Sequence, residues 1–226
     1  MLRTTGRKSN SAACLPVALF DFRPVVRNTS AFAYSVVYCV HTLEMSALRG
    51  WGVAFLAFVA SYTGLQGELL SPALVVTLLA LLGTLTSIVG NEASIRFGRR
   101  HQAAMILSIL FAAVIGFLGS TNYWLAVGLL IAYGMVVWLD SSSVTAGAAG
   151  NAEPARRGAT LAVHSTLGYA GGFVGPLVVG WTLDLAGGMS PMAWGLAFLV
   201  VAILMALTLA VFLVLRPREL EGDRGR

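Results

Sequence analysis

The sequence predicts an all-α membrane protein of six transmembrane helices, and three observations carry that prediction. Hydrophobic residues fill 57% of the 226 positions and charged residues 11%, with a mean hydropathy of +0.80, whereas soluble domains run at about 45–50% apolar and about 25% charged. Apolar stretches long enough to cross about 30 Å of hydrocarbon recur along the chain at 31–60, 72–90, 102–119, 123–139, 160–186 and 192–215. Every Lys and Arg except Arg49 falls in alternate segments between or around those stretches, as the positive-inside rule requires of a chain with an even number of spans.

Residues 1–30 form a lead-in carrying Arg3, Arg7, Lys8, Arg23 and Arg27. Its apolar patch at 13–20 is interrupted by Pro16 and followed by Asp21 and Arg23, so it reads as a lead-in and not a cleaved signal peptide. The first span is long, and tilt, a kink or protrusion must absorb the excess. The second carries a row of small residues, Gly83, Ser87 and Gly90, continued by Ser94. The third, MILSILFAAVIGFLG, is plain and reads as lipid-facing over much of its circumference. In the fourth, Trp124 is placed as an interfacial anchor and Tyr133 and Trp138 lie further along; Asp140 and three serines then end the helix. The fifth repeats small residues every fourth position, Gly168, Gly172, Pro176 and Gly180, with Gly171 and Gly175 beside them, which lets another backbone come close. The sixth has Thr208 as its only polar residue after Trp194. This divides the chain into a lead-in at 1–30, a six-helix domain at 31–215 and a tail at 216–226.

Sidedness follows from the arginines. The lead-in, the connection with Arg96, Arg99 and Arg100, the connection with Arg156 and Arg157, and the tail with Arg216, Arg218, Arg224 and Arg226 alternate onto one face, and both termini are assigned to the cytoplasm. The connections at 61–71, 120–122 and 187–191 hold no basic residue.

Several function classes fall away. The net charge of +5 would suit nucleic acid, but the basic residues flank apolar runs and do not interleave with aromatics, so no nucleic-acid partner is expected. Cys14 and Cys39 make neither a disulfide framework nor a metal site. Ser165 follows His164, yet adjacent helical residues do not face one another. No nucleophile elbow, paired aspartates, zinc helix or phosphate loop is present, so an enzyme is not expected. His164 reads as a hydrogen-bonded packing residue and Asp184 as interfacial. A single lysine against fourteen arginines points to a GC-rich, bacterial source.

The unusual stretch is 34–55, YSVVYCVHTLEMSALRGWGVAF. A charge at the bilayer centre costs roughly 2.5–3.5 kcal/mol on insertion scales, so His41, Glu44 and Arg49 need a reason to be there. At about 100° per residue they span an arc of about 140°, which also contains Tyr34 and Tyr38. Two readings fit: a polar face turned to a cavity, or structural pairing with other helices, with Arg49 snorkelling outward.

At this point the chain resembles the C-terminal half of a major facilitator superfamily transporter. The connection GNEASIRFGRR resembles the family's cytoplasmic loop motif at Arg96, Gly98, Arg99 and Arg100, with Ile95 where the motif has aspartate. The fifth span, LGYAGGFVGPLVVGWTLD, is similar to the family's Gly-Pro-containing fifth helix. LFDFRPVVRN before HTLEMSALRGW looks like the central loop and seventh helix. The resemblance implies a half-bundle with both termini cytoplasmic, transporting a small solute by alternating access about a midplane site shared with the other half. It implies that Tyr34, Tyr38, His41, Glu44, Arg49 and Tyr133 bind substrate or couple an ion. Arg49 would hold a carboxylate or phosphate, and Glu44 or His41 would exchange a proton. It makes Arg96, Gly98, Arg99 and Arg100 a loop gate; Asp140 either latches onto Arg99 or Arg100 or is a solvated helix end. Gly168, Gly172, Gly175, Pro176 and Gly180 are implied to pack helices, and the second and fifth spans to meet their counterparts in the other half. No cofactor or metal is implied. The implied partners are the lipid bilayer, a small-molecule solute, and an N-terminal half or a second copy, in the inner membrane. The alternative is a non-transporting interaction protein or truncated remnant.

Overall fold

The computed structural model describes residues 21–65, 70–97 and 100–218. Among them run α1 (Arg23–Arg27), α2 (Thr29–Tyr62), α3 (Pro72–Phe97), α4 (Arg100–Leu118), α5 (Tyr123–Leu139), α6 (Ser141–Gly150), α7 (Arg157–Leu185) and α8 (Pro191–Leu215), with no strand among the described residues. Among the described residues, six spans are long and apolar enough to cross a membrane. Helices are the natural outcome, because hydrocarbon offers no partner to backbone N–H and C=O groups and a helix satisfies them within the segment.

Local chemistry fixes the ends. The Asn28 side chain accepts from Ala31 N at 3.2 Å and starts α2. Asn122 does the same for α5 through Trp124 N and Leu125 N, and Ser190 for α8 through Ala193 N, with Pro191 in the first turn. Gly187 and Gly188, at φ +84° and +103°, make the tight turn from α7 into α8.

The fourth span departs from its sequence boundary. Asp140 and the serines after it do not begin a loop: α6 continues the span from Tyr123 to Gly150, with an interruption at Asp140. Polar residues there lower the hydropathy because they turn inward, which a linear average reads as an exit from the membrane.

Helix α2 is the hub, packed along α7 and touching α3, α5, α6 and α8, while α4 pairs with α8 and α3 with α5. Two apolar clusters stack along the bundle. One holds Tyr34, Val37, Met105, Val144, Met205 and Phe212; the other includes Leu48, Phe55, Leu56, Ala112, Tyr123, Leu130 and Trp194. In α2, α4 and the α5–α6 span, the residues between the two clusters include His41, Glu44, Ser108 and Asp140, all buried. A polar layer therefore crosses the core at one depth.

The small-residue rows close the bundle from within. A Cβ at Gly168 would overlap the Tyr38 ring, one at Gly171 the Cys39 carbonyl oxygen, and one at Gly175 the Leu43 carbonyl oxygen. Gly172 faces Ser46, Gly180 faces Trp51, and the Pro176 ring lies against Gly50. The close approach is sealed by hydrogen bonds from Thr42 Oγ1 to Gly168 O at 2.7 Å and from Trp51 Nε1 to Pro176 O at 2.9 Å. On α3, Gly83 receives Trp138 and Gly90 the Leu139 backbone. Both rows, expected to meet another half, are occupied by this chain's own helices.

Candidate functional site

The polar layer is built from α2, α4 and the α5–α6 span. Glu44, on α2, is 1% exposed, and its Oε1 accepts from Ser108 Oγ of α4 at 2.5 Å and from Tyr133 OH of α5 at 2.7 Å. One turn earlier on α2, His41 is also 1% exposed, and its Nδ1 lies 3.2 Å from Asp140 Oδ1 at the α5–α6 interruption. His41 Nε2 and Glu44 Oε2 have no hydrogen-bond partner among the described residues. Glu44 also borders a cavity of about 20 Å³ whose lining includes Leu48, Trp51, Tyr133 and Trp194. That volume admits about one water molecule.

An aromatic stack continues the layer toward α7. The Tyr38 ring stacks on His164 with centroids 4.1 Å apart and lies 6.1 Å from the His41 ring. His164 Nε2 in turn is 3.3 Å from Thr145 Oγ1 of α6. His164 is thus the hydrogen-bonded packing histidine that the sequence suggests.

Asp140 is corrected on one point: the solvated helix end expected for it is a buried carboxylate, 3% exposed, facing His41. Of the expected loop gate, Gly98 and Arg99 lie outside the described residues, as do the side chains of Arg96 and Arg100, so the latch of Asp140 onto Arg99 or Arg100 falls outside them too.

The 140° arc on α2 does not act as one face. A helix presents a stripe of roughly 100° to one neighbour, so the two edges of the arc meet different surroundings. His41 and Glu44 turn into the core, whereas Arg49 is exposed, its guanidinium 4.9 Å from the Trp138 ring centroid. Arg49 makes no ion pair among the described residues. Tyr34 is separated from both: its ring packs edge-on against Phe212, 5.2 Å between centroids, inside the first apolar cluster. On the open side of α2, a groove of about 240 Å³ runs between α2 and α7, lined by Tyr38, Thr42, Met45, Ser46, Ser165 and Tyr169 with Gly168 and Gly172. It carries hydroxyls, rings and a thioether but no charge.

Sequence reasoning missed Ser108. A lone serine in an apolar helix usually bonds to its own backbone, as Thr208 does to Leu204 O at 2.8 Å. The available signal was that Ser108 is the only polar side chain in MILSILFAAVIGFLG, which makes it the one side-chain donor this stretch can offer to a buried acceptor on another helix.

The arrangement can hold a carboxylate and a His–Asp pair away from water while leaving a guanidinium at the open face. Residues 29–226 match the family model described as Major Facilitator Superfamily. No curated protein matches the chain.

Proposed function

Because the chain belongs to the major facilitator superfamily, a family of multi-pass membrane transporters, we propose that it moves a small solute by alternating access as the C-terminal six-helix half of a secondary carrier. Both termini face the cytoplasm of a bacterial inner membrane, a sidedness supported by the arginine distribution. A second six-helix half, on another chain or a second copy, supplies the opposite wall of the site.

The observation that carries the reading is the polar layer between the two apolar clusters. Ionisable groups at this depth are costly and in carriers serve ion or substrate pathways. Glu44, backed by Ser108 and Tyr133, is the proton-exchanging group, and His41 with Asp140 communicates its state to the interruption in the fourth span. Discontinuous helices of this kind line transporter sites. Arg49 and the groove containing Tyr38 form this half's contribution to the substrate surface, with Arg49 receiving a carboxylate or phosphate bidentately. The hydroxyls of the groove select by hydrogen bonding.

The test uses proteoliposomes loaded with a pH-sensitive dye and containing the chain together with a matching N-terminal half. A panel of organic acids, phosphate esters, sugars and amines is added outside. The expected result is solute-dependent acidification of the lumen with at least one acid or phosphate ester, abolished by Glu44→Gln. Acidification that survives Glu44→Gln would remove Glu44 from the coupling role. Solute flux by the chain reconstituted alone and shown to be monomeric would overturn the half-carrier reading.

A further inference from the structure

At the end of the bundle that bears the termini, three segments distant in sequence are tied together. Helix α8 ends with Arg216 at φ +43°, a left-handed conformation uncommon for a non-glycine residue, and residues 217–218 follow toward the start of α2. Arg218 N then donates to Ser30 Oγ at 3.0 Å, and Asn151 Nδ2 donates to Arg218 O at 3.1 Å. Asn28 Nδ2 completes the tie by donating to Asn151 O at 2.8 Å. The start of α2, the end of α6 and Arg218 are thereby held in a fixed relation.

Between them lies a cavity of about 540 Å³ lined by Arg27, Asn28, Ser30, Asn151, Glu153 and Arg218, with Pro24, Thr29 and Ala152. Its size falls within the range of small-molecule sites, roughly 300–1,000 Å³. Arg27 and Arg218 are both exposed and make no ion pair among the described residues. The one carboxylate in the wall, Glu153, is engaged by Arg156, with Nε 3.6 Å from Oε2. The cavity thus brings together two guanidinium groups that have no ion pair among the described residues and a ring of amide and hydroxyl groups. Beside it, Phe22 at the N-cap of α1 is 38% exposed and Val26 within α1 is 50% exposed, apolar side chains suited to the boundary between headgroups and acyl chains.

We propose that this cavity binds the phosphate of an anionic glycerophospholipid headgroup, clamped between Arg27 and Arg218. A planar guanidinium matches phosphate oxygens bidentately, and basic pockets between membrane helices on the cytoplasmic side are suited to such headgroups. Free phosphate shares the chemistry, but the apolar flank of α1 would act only on a ligand that brings acyl chains. The lipid would bridge the lead-in to the tail and reinforce the tie that the hydrogen bonds already make.

Native mass spectrometry of the full chain, released from detergent with phosphatidylglycerol or phosphatidylcholine titrated in, tests this. The expected result is retention of phosphatidylglycerol over phosphatidylcholine, with apparent affinity falling roughly five-fold in Arg27→Gln or Arg218→Gln and roughly twenty-five-fold in the double variant, since each basic group near an anionic surface is worth about 1 kcal/mol. Arg157→Gln, exposed but outside the cavity, is expected to leave the affinity unchanged. An equal loss in Arg157→Gln would mean general surface charge and overturn the site, as would unaltered binding in the double variant. Thermal protection by inorganic phosphate equal to that by the lipid would overturn the lipid as its occupant.

Discussion

At the scale of single residues, Glu44 explains why the polar layer survives in an apolar core. One oxygen takes two hydrogen bonds, from Ser108 and Tyr133, while the other has no partner among the described residues. Such a group is stabilised by its donors and still costly, since a buried acceptor left unpaired loses about 1–3 kcal/mol. Removing one donor should therefore be felt directly. Tyr133→Phe is expected to lower stability by about 1–3 kcal/mol, and the loss should shrink in a Glu44→Leu background, where the hydroxyl has no acceptor to serve. Reversible unfolding in mixed micelles, run as a double-mutant cycle, measures it; additive losses would mean that the two side chains do not interact. The contrast with Arg49 is instructive. It is five positions from Glu44 on the same helix, yet it rests on Trp138 at the open surface. The sequence made both residues conspicuous but could not assign them to opposite surroundings, because the rotation of α2 is set by the glycines of α7.

At the scale of elements, the seam between α2 and α7 decides that rotation. Backbone meets backbone at Gly171 and Gly175 with no room for a methyl group, so Gly171→Ala is expected to force the helices apart. The expected cost is about 3 kcal/mol or more, the range of severe overpacking. Gly128 has open space around it, and Gly128→Ala is expected to stabilise by up to about 1 kcal/mol through helix propensity. Thermal unfolding of the two purified variants checks the pair; an unperturbed Gly171→Ala chain would show that the seam is looser than described. The small residues were legible in the sequence as a packing surface, because four-residue spacing in an apolar helix has few other meanings. Their partner was not, since a stripe records closeness without recording to what. The same limit explains the fourth span: the turn at Asp140 looks like a helix end until its carboxylate is seen to have His41 opposite.

At the scale of the whole molecule, six spans and their order were readable from hydropathy alone, since the bilayer imposes one length and one composition on all of them. The interior arrangement was not readable, because it joins residues far apart in the chain. Thr42 waits for Gly168, 126 positions later, and Glu44 for Ser108 and Tyr133, 64 and 89 positions later. At a synthesis rate of about 5–20 residues per second, α2 spends roughly 6–25 s on the ribosome before α7 exists. For the first part of that interval, until Ser108, Tyr133 and Asp140 have been made, its carboxylate and histidine have no partners of their own. The nascent chain must therefore be sheltered by the insertion machinery or lie shallow in the interface. Chains stopped after residue 122, which lack Tyr133, Asp140 and α7, are expected to be degraded several-fold faster in pulse-chase than the same chains carrying His41→Leu and Glu44→Leu. Equal lifetimes would show that the charges are not what quality control detects. The helix at the centre of the finished bundle is thus the most vulnerable one during its assembly, and the timing of synthesis is a constraint that the folded bundle conceals.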